Sequence, residues 1–136
     1  MAIGFQVGMN YYPIGSGDFL YSFFSTVAFN LEHKKWGKKY PYIMKELYQG
    51  TLKSTHINSA IKELSDIQEK LSAHSPDDIV WDIEDLKKQP PWGKNIADTI
   101  TTLANYFITC DGEDFINVFE RALIDAKENQ TDLIIQ

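Results

Sequence analysis

Three carboxylates stand close together in Val80-Trp81-Asp82-Ile83-Glu84-Asp85, and strict alternation places Asp82 and Glu84 on one face of an extended segment. Carboxylates at that spacing suit general acid and base chemistry, or a magnesium site. Both uses need partners. The chain offers no phosphate loop, no second metal motif and no hydroxyl nucleophile beside a base. Gly15-Ser16-Gly17 lacks the Lys-Ser/Thr ending and wider glycine spacing of a nucleotide loop, and reads as a turn and helix cap. No catalytic residue, cofactor or metal ligand is therefore assigned.

The remaining reactive side chains are dispersed. His33, His56 and His74 stand at or near helix ends without metal-ligand spacing, which points to surface or capping roles. Cys110, the one cysteine, cannot form an internal disulfide. The acids Asp111, Glu113 and Asp114 beside it oppose a thiolate, so a buried, inert thiol is expected. The tract His33-Lys34-Lys35-Trp36-Gly37-Lys38-Lys39, followed by Tyr40, is the one basic patch. Charge and stacking on a nucleic acid are one use for it, but the acidic remainder favours a solvated helix end. In Gln89-Pro90-Pro91-Trp92-Gly93 the prolines stiffen the backbone around Trp92. That ring is either a pre-organised binding anchor or a lid over the chain's own core.

These residues need a scaffold, and 136 residues with 43% hydrophobic and 13% aromatic content suffice for one domain, 1–136, with one core. The net charge of −6 is divided unevenly. Residues 1–53 hold three acids and six bases (net +3), and residues 54–136 hold sixteen acids and seven bases (net −9). Such a surface repels phosphates and favours a basic protein partner. The absence of a long apolar run and of a basic start to Met1-Ala2-Ile3-Gly4-Phe5-Gln6 gives the expectation of a soluble, cytoplasmic protein with no membrane partner.

Periodicity places the elements. Ile3, Phe5, Val7, Met9 and Tyr11 alternate as a strand from Ala2 to Tyr12. Ser16 caps a helix from near Asp18 to Glu32, with Phe19, Leu20, Phe23, Phe24, Val27, Ala28 and Leu31 inward. A second helix runs from Tyr40 or Pro41 to Gln49, with Ile43, Met44, Leu47 and Tyr48 inward, and a third from Thr55 to Ala73. A strand follows over 79–84, with Trp81 and Ile83 in the core and Asp82 and Glu84 out. Residues 96–104 fit a helix or a strand. Tyr106 to Thr109 reads as a short strand, Asp111 as the cap of a helix with Phe115, Val118, Phe119, Ala122, Leu123 and Ala126 inward, and Leu133 to Ile135 as a last strand. The expected fold is α+β, a small, mostly antiparallel sheet with about four to five helices.

Gly15-Ser16-Gly17-Asp18-Phe19, Phe23-Phe24-Ser25-Thr26, Glu46-Leu47-Tyr48-Gln49-Gly50, Val80-Trp81-Asp82-Ile83-Glu84-Asp85, Pro90-Pro91-Trp92-Gly93 and Asn105-Tyr106-Phe107 followed by Asp111-Gly112 together resemble the immunity-70 family of bacterial polymorphic toxin systems. The resemblance spans almost the whole chain and rests on the order of these motifs. It implies a non-enzymatic cytoplasmic protein that binds and neutralises a cognate secreted toxin, and such families can be paired with nucleases. Cys110 and the lysine tract take no role from it. On this reading Asp82, Glu84, Asp85, Asp111, Glu113 and Asp114, with Trp92 as anchor, form or border the surface for a basic toxin. A small-molecule-binding or regulatory domain, and a carboxylate-dependent hydrolase, are the alternatives.

Overall fold

The computed structural model describes residues 2–136. Strands β1 (Ala2–Val7) and β2 (Asn10–Ser16) form a hairpin, so the alternating N-terminal stretch is two strands rather than one. Gly8 takes a positive φ of 57° at the turn, and Met9 stands fully in solvent at the tip. Alternation carries no mark of where a strand folds back, so the period-two pattern runs unbroken through the turn. Pro13 is tolerated within β2 because that strand is the sheet edge. Gly4 sits at a break in register between β1 and β2, and a Cβ there would stand 2.4 Å from the Tyr12 carbonyl oxygen. Only glycine fits.

Helix α1 (Gly17–Leu31) starts where expected, with Ser16 Oγ accepting from Phe19 N at 3.1 Å. Its C-terminus leads into a tight loop gathered by Glu32, whose buried carboxylate accepts from the backbone N–H groups of Gly37, Lys39 and Tyr40 at 2.9 to 3.0 Å. The expected second α-helix is instead a π-helix, Tyr42–Glu46, running into a 3-10 turn, Leu47–Gln49. Glu63 accepts from the N–H groups of Tyr42 and Ile43, and the Met44 carbonyl accepts from the Trp36 indole. Side-chain partners thus take up the polar groups of a short, irregular helix.

After the two-residue strand β3 (Thr51–Leu52), a 3-10 turn at Ser54–His56 leads into α2 (Ile57–Leu71), slightly shorter than the span from Thr55 to Ala73. Ile57, Ala60, Leu64, Ile67 and Leu71 are buried, as their spacing required. Helix α3 (Phe115–Asn129) buries Phe115, Val118, Phe119, Ala122, Leu123 and Ala126. Strand β4 (Leu133–Ile135) then enters between β1 and β3, completing an antiparallel sheet of order β2-β1-β4-β3. The fold is α+β, with four strands, three α-helices and the π-helix among the described residues. Its centre is a ring cluster in which Phe23 meets Phe115 edge-on at 4.9 Å and Phe5 lies 4.9 Å from Phe119.

Candidate functional site

The acidic segment is not a strand. Val80, expected outward, is buried, while Trp81 and Ile83, expected in the core, are half-buried. The reason lies on α1, whose face carries Ser22, Ser25 and Thr26, all fully buried. Ser22 and Thr26 hydroxyls donate to the Val80 carbonyl at 2.9 and 3.1 Å, and Thr26 Oγ1 accepts from Val80 N at 3.1 Å. Ile83 N donates to Ser25 Oγ. Helix hydroxyls thus take the N–H and carbonyl of Val80 and the N–H of Ile83, where a strand would have used a ladder partner.

That docking presents the carboxylates on successive turns. Asp82, half-buried, accepts from Glu84 N at 2.9 Å and faces Lys88 Nζ at 3.5 Å. Asp85 accepts from Lys87 N. Glu84 and Asp85 are exposed, and Glu84 has no ion-pair partner among the described residues.

Trp92 packs over the chain's own core while keeping part of its ring in solvent. Its ring packs edge-on against Trp81 at 5.5 Å, and its indole N–H donates to Tyr106 Oη at 2.9 Å. The residue is nevertheless 38% exposed. It borders a groove of about 270 Å³ lined by Phe19, Ile96, Ile100, Tyr106 and Ile108. Residues 96–102 are neither helix nor strand; a 3-10 turn, Leu103–Asn105, follows, tied by Asn105 Oδ1 accepting from Thr101 N and Thr102 N.

The second acidic group lies at the start of α3. Asp114, not Asp111, is the cap, its carboxylate accepting from Asn117 N. Asp111 is exposed in the preceding turn, where Gly112 has φ 80°, and Glu113 pairs with Arg121 at 2.8 Å. The helix starts later because Thr109 N donates to the Glu113 carbonyl and Ile108 bridges Asp114, so this stretch is a looped turn instead of the short strand expected at 106–109. Cys110 is exposed rather than buried, its backbone N–H donating to the Ile14 carbonyl. The two acidic groups sit on separate loops, connected through the Trp81, Trp92 and Tyr106 rings. His56 faces Glu46 at 2.8 Å and His74 faces Asp78 at 3.0 Å.

A second groove of about 410 Å³ had no signal in the sequence. It is lined by Tyr21, Trp36, Met44, Lys45, Tyr48, Gln49, Ile83 and Glu84. Four separate segments build it, so no local spacing announces it. Tyr48, expected inward, is 45% exposed here. Trp36, half-buried, lies 5.0 Å from Tyr48 and 6.0 Å from Tyr21, and Tyr40 is buried. Burial first, then the charges of Glu84 and Asp82, raise the Tyr21 phenol above its usual pKa.

Among the described residues no cluster of three histidine, cysteine or carboxylate side chains is placed to hold a metal, and no helix is long and apolar enough to cross a membrane. The family model described as Immunity protein 70 matches residues 5–135. No curated protein and no solved structure matches the chain.

Proposed function

The chain belongs to the immunity protein 70 family, and from that premise we propose that it neutralises a cognate bacterial toxin in the cytoplasm by protein–protein contact through an acidic surface. Asp82, Glu84, Asp85, Asp111, Glu113 and Asp114 supply the charge, with Trp92 as the apolar anchor between the two acidic loops. The observation that carries this reading is the exposed Trp92, which is held by Trp81 and Tyr106 yet open to solvent beside an apolar groove. A fixed aromatic ring loses little entropy on binding, and the exposed acids Glu84, Asp85, Asp111 and Glu113 on the two loops favour a basic partner. A nuclease with a basic substrate groove has that chemistry. Neither groove brings carboxylates together, which supports binding over hydrolysis.

Co-expression with the toxin encoded by the neighbouring gene tests the reading, with growth restored as the expected result. The triple variant Asp82→Lys, Glu84→Lys, Asp85→Lys should bind the toxin more weakly and with less salt dependence. A folded triple variant with unchanged affinity and salt dependence would remove this surface from the interface.

A further inference from the structure

The groove between Tyr21, Trp36, Tyr48, Ile83 and Glu84 has a chemistry of its own. We propose that it receives an arginine side chain of the toxin, the guanidinium lying against the Tyr21 and Tyr48 rings and donating to the Glu84 carboxylate. The inference rests on the immunity reading and names the anchor that reading lacks.

Three observations carry it. The rings are already placed: the Trp36 indole N–H is bound to the Met44 carbonyl, and Trp36 meets Tyr21 at an interplanar angle of 26° and Tyr48 at 66°. A planar cation stacks on such a surface without ordering it first. The lip is negative: Glu84 is exposed without an ion-pair partner among the described residues, whereas the neighbouring Asp82 faces Lys88. Lys45 also lines the groove, its stem so close to Gly37 that a Cβ there would stand 2.4 Å from Lys45 Cγ, yet it forms no ion pair with Glu84. The Glu84 carboxylate is thus left for a second cation. Arginine suits the site better than lysine because guanidinium is planar, weakly hydrated and forked to match a carboxylate.

Nuclear magnetic resonance titration with N-acetyl-L-arginine amide tests the groove directly. Saturable shifts of the Trp36 indole and of the Tyr48 and Glu84 amides are expected, and Glu84→Gln should weaken them about threefold or more. Equal shifts with the norleucine or aspartate analogue, or arginine shifts scattered over the surface, would overturn the proposal. Against the toxin, Glu84→Gln and Tyr48→Ala, each with a melting transition close to wild type, should each lower affinity about tenfold. Unchanged affinity in both variants would remove the arginine anchor and leave the immunity function standing. A wild-type protein that neither binds nor neutralises the toxin would instead overturn the function itself, and the anchor with it.

Discussion

Trp92 donates its indole N–H to the hydroxyl of Tyr106 at 2.9 Å, joining the proline-stiffened loop to the residue that leads into the turn before α3. Tyr106 is almost wholly buried, whereas Trp92 keeps more than a third of its surface in water. The pair thus has one end in the core and one at the surface. Trp92→Phe keeps a ring beside Trp81 but leaves the Tyr106 hydroxyl without its donor, at a cost of about 1 kcal/mol. Trp92→Ala should cost more and weaken toxin binding as well. Urea unfolding and affinity measurements on both variants separate the two roles.

Thr26 is the strongest tie between α1 and the acidic segment, because its hydroxyl serves both the N–H and the carbonyl of Val80. Thr26→Val keeps the shape and strands a buried N–H, so a loss of about 2 kcal/mol is expected in denaturant unfolding. Hydrogen exchange at the Val80 and Ile83 amides should accelerate with it. Protection unchanged from wild type would contradict the docking described above.

Glu32 plays the corresponding part for the lysine tract. Its buried carboxylate accepts from three backbone N–H groups, and His33 and Lys34 hold positive φ angles in the turn that follows it. Glu32→Ala would leave those donors unpaired, and a loss of about 3 kcal/mol is expected. The same change should loosen Trp36, which a rise in solvent quenching of its fluorescence would report.

The contact between the hairpin and α3 is pH-sensitive at both extremes. Asp125 accepts from Tyr12 Oη at 2.7 Å and from Asn10 Nδ2 at 2.9 Å. The Tyr12 hydrogen bond, followed by that from Asn10, holds the Asp125 carboxyl below its usual pKa. Its stabilising share is present above the ordinary aspartate value and is lost as pH falls through the depressed one. Burial, reinforced by Asp125, pushes the Tyr12 phenol up to about 12. That share is complete below the ordinary tyrosine value and disappears as pH rises from there through the raised one. Tyr12→Phe should flatten the alkaline loss and bring the Asp125 midpoint back towards its ordinary value, as pH-dependent melting and carboxyl resonances would show.

The helices were legible because each advertises its buried face in its own spacing. Phe19 to Leu31, Ile57 to Leu71 and Phe115 to Ala126 recur at three and four residues, and all three became fifteen-residue helices. Ser16 was readable as a cap from its position, but Asp114 displaced Asp111 because Thr109 pairs with Glu113 and delays the helix. The candidate carboxylates could be named from composition and order. Their presentation could not.

What the amino-acid order determined alone is the set of amphipathic surfaces, since hydrophobic periodicity is written within each element and needs no distant partner. Where the chain has irregular backbone, the tertiary structure decided. The alternation of residues 79–84 permits a strand, but Ser22, Ser25 and Thr26, more than fifty residues earlier, take its hydrogen bonds and turn Val80 inward. The aromatic groove arises in the same way, from side chains on four segments that meet only in the folded chain. A backbone donor pairs with the acceptor that folding brings near, and that acceptor is not visible in the local pattern.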